Sequence, residues 1–363
     1  MLRRERAGVV VIVAAVAAAI CLRVPATATG ALPAHLTDQE FWSLVTEVSE
    51  PGGTFRSENL LSNELRLQYV IPELVRNTPR GRAYIGVGPE QNFTYIAAVQ
   101  PAIAFIVDIR RGNLQLQLMY KALFELSSDR ADFAGRLFSR KAPDSLGSQP
   151  TAKQIFEAIA LSESSEAVYE RTLKQIETQL SGRHAFPLSA DDLKGIAHVL
   201  HAFYTFGPDI NYSSTESDAG AATSGNYRPT YAELMTATDG EGHPRSYLAT
   251  DESFAFIKEL EAKNLIVPVV GDFAGPRALR AVGEYLKARS AIVSAFYVSN
   301  VEQYLRVSRV WGSFCGNAAR LPIDDASTFI RAGRGGRYAR GGTALTHELT
   351  SVAIEVDGCD RRP

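Results

Sequence analysis

Apolar and polar residues along the chain alternate between a helical rhythm and short uninterrupted apolar runs. Over residues 36–78 the spacing is helical. "LTDQEFWSLVTEVSE" starts at a capping Thr37 or Asp38, and "SENLLSNELRLQYVIPELVRN" carries apolar residues at helical intervals. Two runs rich in small, aromatic and β-branched residues follow, "AYIGVG" and "AIAFIVDI". Their lack of alternation predicts strands covered on both faces, as in a parallel sheet. Between them, "PEQNFTYIAAVQP" places Phe93, Ile96, Ala97 and Gln100 as on a helix, and Pro101 stops it. Strand, helix and strand within roughly thirty residues is the length of a βαβ unit.

Helical spacing returns in "NLQLQLMYKALFELSS", "DRADFAGRLFSRK", "TAKQIFEAIALSESSEAVYERTLKQIETQLSG" and "SADDLKGIAHVLHAFYTF". Residues 211–229 are small and polar and are expected to form a long flexible loop. The α/β rhythm then resumes: helix in "ESFAFIKELEAKN", strand in "LIVPVVGDFAG", helix in "PRALRAVGEYLKAR", strand in "SAIVSAFYVSN" and helix in "VEQYLRVSRVWGSFCGN". "STFIRAG" and "TSVAIEVDG" are expected to close the fold as an antiparallel pair. The expectation is an α/β fold: an open, mostly parallel Rossmann-like sheet flanked by helices, one domain over 32–363 with a helical insertion at 127–250.

The start of the chain changes the picture of where this domain works. "MLRRER", "AGVVVIVAAVAAAICL" and "RVPATATGA" have the layout of a secretory signal over residues 1–28, with small residues at Ala26-Thr27-Ala28. The expected location is secreted or periplasmic. If the signal stays uncleaved, Arg3, Arg4 and Arg6 would anchor the body of the protein outside the cytoplasm. A true start near Leu32 is the alternative. After cleavage Cys315 and Cys359 remain, either as a disulfide or as two buried thiols. With a net charge of −2 and no basic blocks, no nucleic-acid partner is expected, and no stable membrane span after cleavage.

Candidate chemistry gathers at the carboxyl ends of the predicted strands, where open α/β sheets bind ligands. The first strand ends in Gly86-Val87-Gly88-Pro89-Glu90, the second in Asp108, the third in Gly271-Asp272, and the fourth in Ser299-Asn300. Gly86 and Gly88 let the backbone turn sharply and approach a ligand. The helix start at Glu90–Asn92 adds free N–H groups. Asp108 stands 20 residues after Gly88, an offset at which an acid meets ribose hydroxyls in dinucleotide-type folds.

"AYIGVGPEQNFTYIAAVQPAIAFIVDI" resembles the first βαβ unit of class I S-adenosylmethionine-dependent methyltransferases, and the outline extends over about 80–112 and 263–356. The resemblance implies S-adenosylmethionine as cofactor; with no C-x-x-C or Cys/His cluster in the sequence, no metal is expected. It implies Gly86 and Gly88 near the methionine part and Asp108 on the ribose, with Glu90 and Asn92 of the helix start among the cofactor-binding candidates. Asp272 would then lie near the adenine, with Ser299 and Asn300 facing the transfer pocket. Tyr84 stands where the family commonly has an acid, Glu90 replaces a third glycine, and no catalytic tetrapeptide follows the fourth strand, so the catalytic residues stay unassigned. The acceptor would be a small molecule or another group that the sequence does not name. The alternative is an exported, non-catalytic binding protein that keeps the fold.

Three further stretches invite a role. "FRSENLLSNE" crowds polar side chains ahead of the first strand, and Ser57, Asn59 and Asn63 are candidates to cap the pocket; helix capping and solvation explain them more simply. His198 and His201 share a helical face but lack a third metal ligand. Arg331, Arg334, Arg337 and Arg340, in a loop at 331–342, either hold a polyanion or form a solvated hairpin loop.

Overall fold

A computed structural model describes residues 30–141, 146–215, 228–333 and 346–359. The signal segment, residues 216–227 of the expected loop, and Arg334, Arg337 and Arg340 lie outside the described residues. Six strands form one sheet in the order β3-β2-β1-β4-β5-β6. They are β1 (Ala83–Gly86), β2 (Ile103–Asp108), β3 (Ile266–Val270), β4 (Val293–Ser299), β5 (Thr328–Gly333) and β6 (Thr346–Ser351). The first five run parallel, and β6 returns antiparallel to β5. Every residue of β1, β2 and β3 is buried, as their unbroken apolar runs require. The fold is therefore the expected open α/β sheet. Its strand order reverses between β1 and β4, which opens a crevice at their carboxyl ends.

Helices cover both faces. On the chain before and after β1 lie α1 (Asp38–Val48), α2 (Ile71–Asn77) and α3 (Gln91–Val99). Between β2 and β3 come α4 (Arg111–Leu126), α5 (Arg130–Leu137), α6 (Ala152–Leu161), α7 (Glu166–Glu177), α8 (Ala190–Phe206), α9 (Tyr231–Thr236) and α10 (Asp251–Ala262). The last four are α11 (Ala278–Lys287), α12 (Val301–Val307), α13 (Trp311–Ala318) and α14 (Val352–Val356). Starts follow the capping rules: Thr37, Thr151, Ser189 and Thr230 each sit in a reciprocal capping box. No helix among the described residues is long and apolar enough to cross a membrane.

The structure corrects several local expectations. Residues 49–66 are not helical. Ser57 and Ser62 turn their hydroxyls onto the amides of Asn59 and Glu64, two residues on, and Asn59 takes φ 50°; both competitors break a helix locally. The segment "VEQYLRVSRVWGSFCGN" is two helices, since Arg309 adopts φ 60° between α12 and α13. "TAKQIFEAIALSESSEAVYERTLKQIETQLSG" also divides, into α6 and α7, with Ser165 capping the second. The antiparallel pair exists, but its second strand is "THELTS", and the β-branched "VAIEV" beyond it is helix α14, capped by Ser351. Arg331 is not in a solvated loop: it is 7 % exposed in β5 and pairs bidentately with Glu302 at 2.9 Å. Cys315 and Cys359 form a disulfide that ties the end of the chain to α13 across 44 residues.

Candidate functional site

Residues 49–66 form a strap that crosses the carboxyl edge of the sheet strand by strand. The Glu50 amide donates to Val270 O at the end of β3 (2.9 Å), and the Gly53 amide to Ile109 O just beyond β2 (2.7 Å). The Ser62 amide donates to Glu90 Oε1 beyond β1 at 3.1 Å. Glu64 then reaches β4 and β6: it accepts from Tyr297 Oη at 2.6 Å and from Ser299 Oγ, and its Oε2 lies 2.7 Å from His347 Nε2. Ser57, Leu60, Leu61, Ser62 and Glu64 are all buried by this course. The strap lies over the crevice that the strand order creates.

Beneath it the glycine turn is tightly packed. A side chain at Gly86 would place its Cβ 1.9 Å from Asn92 Oδ1 and 2.8 Å from the Tyr84 hydroxyl, so this position must be glycine. Tyr84 Oη donates to Asn92 Oδ1 at 2.9 Å, and Asn92 Nδ2 donates to the carbonyls of Val87, Gly88 and Pro89. Gly88 adopts φ 81°, the left-handed region that favours glycine. Asn92 thus holds the turn together from inside.

Polar side chains of α3 and α4 point inward around Gly88, and their hydrogen bonding is incomplete. Gln117 Nε2 donates to Gly88 O at 3.1 Å, and Gln91 Nε2 donates to Tyr297 Oη at 3.1 Å. Yet Glu90 Oε2, Gln91 Oε1, Gln117 Oε1 and, one helical turn before Gln117, Asn113 Oδ1 are buried without a protein partner. Buried polar atoms are normally satisfied, so these orphaned oxygens, two at the start of α3 and two one turn apart on α4, call for a partner that a ligand or water would supply. Burial drives the Glu90 carboxyl up to about 8 against the two backbone bonds that favour its charge, with the charge of Glu64 adding to the rise. Burial acts on Glu64 in the same sense, but His347, Ser299 and Tyr297 overcome it and hold Glu64 below the ordinary range. Two buried glutamates at one edge are therefore held in opposite protonation states at neutral pH. His347 Nδ1 is a further buried atom without a partner.

The acid at the end of β2 is engaged. Asp108 Oδ1 accepts from the Arg110 amide and Nε, both at 2.9 Å, and Oδ2 accepts from Nη2 at 2.6 Å. Arg110 Nη1 also donates to the carbonyls of Ser57 and Glu58, so one guanidinium latches the strap to Asp108. Beside it, at the ends of β2 and β3, an open cleft of about 440 Å³ is lined by Glu50, Ile109, Asp272 and Arg277 among others. Its floor is shaped by Glu50, which accepts from the amides of Asp272 (2.8 Å) and Arg277 (3.2 Å).

The profile of the family described as "Domain of unknown function (DUF7790)" matches residues 60–189 and 221–351, well over half of the chain. The chain belongs to this family. No curated protein matches it. The DUF7790 match takes in Glu64, the glycine turn, Glu90, Asp108, Ser299 and His347, and the first part of the strap, residues 49–59, precedes it.

Of the residues singled out in sequence, Gly86, Gly88, Glu90, Asn92, Asn59 and Ser299 converge on the DUF7790 crevice: Asn59 Nδ2 lies 3.5 Å from where a Gly88 Cβ would stand, and Ser299 takes φ 51° at the end of β4. Asp272 instead faces the neighbouring cleft, where its Oδ1 accepts from the Ala274 amide. Asn300 stands before α12 without a side-chain capping bond, and Asn63 is half-buried. Ser57 holds its own turn and offers its carbonyl to Arg110. His198 bonds Glu58 at 2.9 Å, whereas His201 lies near Thr205. Among the described residues no group of three His, Cys, Asp or Glu could hold a metal. Sequence reading missed Gln91, Tyr297, His347 and Arg110 as partners in the crevice. Only the polar crowding in "FRSENLLSNE" signalled the strap.

Proposed function

We propose that the protein is a class I methyltransferase-like enzyme that binds S-adenosylmethionine beneath the strap. The observation that carries the reading is the set of orphaned oxygens at the start of α3 (Glu90 and Gln91) and along α4 (Asn113 and Gln117, the latter bonded to Gly88 O), next to the reversal of strand order. Such a set suits an ammonium group, as at the amino-acid end of this cofactor, and a cation beside Glu90 would return its carboxyl to the charged form. The cleft at Asp272 is the matching place for an adenine. The ribose position fits only after Arg110 releases Asp108, which also frees the strap. When bound, the cofactor supplies an activated methyl group. The protein's own part is to hold the amino-acid end through Glu90 and the amides of α3 and α4, and to exclude water with Leu60 and Leu61.

A second reading, a binding protein without transfer, is favoured by the full engagement of Asp108 and by the disulfide, which suits the oxidising compartment to which the N-terminal segment would direct the chain. Calorimetry with S-adenosylmethionine and S-adenosylhomocysteine separates the outcomes. Arg110→Ala should tighten binding by about tenfold, since it removes a charge-assisted latch that the ligand must break. No heat at millimolar ligand with either the wild type or Arg110→Ala would overturn the reading. Binding of both ligands without loss of the methyl group during long incubation with small nucleophiles supports the second.

A further inference from the structure

Away from the strand ends, α5 and α7 enclose a second hollow, of about 170 Å³, that concentrates positive charge. It is lined by Arg136, Arg140, Lys141 and Arg171, with Asp132 as the one carboxylate among its lining residues. Asp132 is committed: it accepts from Arg136 Nε at 2.9 Å and from the Ser128 amide at 2.9 Å. Arg136 is further fixed by Gln175 Oε1 at 2.8 Å. Arg140 uses Nη1 on the carbonyls of Ile159, Ala160 and Ser162, at the end of α6, and its buried Nε has no partner. Arg171 makes no ion pair among the described residues.

Chain geometry brings these groups together. Ser139 adopts φ 54°, its carbonyl accepts from the Ser165 amide at 2.9 Å, and Arg140 bridges to Ser164, so Arg140 is set against the start of α7. The hollow has room for roughly five waters, too little for a drug-sized molecule and enough for a compact anion. Planar guanidinium groups at fixed positions match the oxygens of a phosphate.

We propose that this hollow binds the phosphate group of a small ligand, with the Arg171 and Arg136 guanidinium groups as its donors and the charge of Arg140 beside them. Inorganic phosphate and a phosphate monoester share this chemistry, so both are titrated, as inorganic phosphate and glycerol 3-phosphate, at constant ionic strength in chloride. Amide NMR shifts of the intact mature chain should move saturably around Arg136, Arg171 and Thr172. Saturation by both probes identifies a phosphate site; tighter binding of the ester assigns it to phosphorylated metabolites, and equal binding to free phosphate. Arg171→Gln, on an exposed side chain, should weaken binding about tenfold and leave S-adenosylhomocysteine binding unchanged. Shifts that stay linear to the highest concentration, or that are the same in Arg171→Gln, would overturn the proposal, whatever happens in the crevice beneath the strap.

Discussion

Replacing Glu64 by alanine should destabilise the protein by about 3–5 kcal/mol at pH 7, the loss expected when one member of a buried charged cluster is removed. The carboxylate is 2 % exposed and is the common partner of Tyr297, Ser299 and His347, which belong to two different strands. Alanine leaves Tyr297 and His347 buried without this acceptor, takes it from the half-buried Ser299 as well, and cuts the strap from β4 and β6. Glu64→Gln keeps the shape and one acceptor oxygen, so its loss should be smaller. The pH dependence has a definite sign. Glu64 is held below its ordinary range in the folded protein, so its contribution is present above the unfolded value of about 4.5 and is lost as pH falls through the lower folded value. Urea unfolding of the wild type and both variants at pH 7 and in mild acid measures this. A loss under about 1 kcal/mol for Glu64→Ala would show that the strap is held by other bonds.

Glu90→Gln should have the opposite effect and stabilise the protein, by roughly 3 kcal/mol at pH 7. The Glu90 carboxyl is pushed by burial from 4.5 to about 8. Between those values the unfolded chain has released a proton that the folded chain keeps, so stability falls as pH rises through this window and levels off above it. Glutamine has no charge to bury and keeps an acceptor for the Ser62 amide. The gain should vanish toward pH 4.5, where glutamate is protonated in both states. Glu261 is raised to about 8 as well and imposes a similar slope on both proteins, so the difference between them isolates Glu90. Urea midpoints at pH 5 and pH 8 that run parallel for wild type and variant would contradict the burial of a protonated Glu90.

The sheet was legible because its strands are unbroken apolar runs closed by glycine or acid, as in "AYIGVG" and "AIAFIVDI". The glycine turn was legible for the same reason, since Gly86 and Gly88 each answer a local backbone demand. What sequence could not show are partnerships set by the sheet. Glu64 meets Tyr297 and His347 across separations of 233 and 283 residues, and no periodicity encodes such a pairing. Residues 49–66 read as helix because Leu60, Leu61, Leu65 and Leu67 mimic helical spacing, while the bonds that hold the strap extended lie on other strands. The second strand of the antiparallel pair was misplaced because "THELTS" buries a threonine and a histidine, residues without an apolar signature, next to a β-branched helix. Asp108 was found at the correct strand end, but no motif in the sequence marked its neighbour Arg110 as its partner.

In the proposed function, Glu90, protonated beneath the strap, receives the cationic end of the cofactor. Titration of the mature protein with S-adenosylhomocysteine at pH 7, in two buffers of different ionisation enthalpy, measures the protons exchanged on binding. Close to one proton should be released in the wild type and none in Glu90→Gln, with binding weakened in the variant. Binding without proton release, or equal release from both proteins, would contradict it.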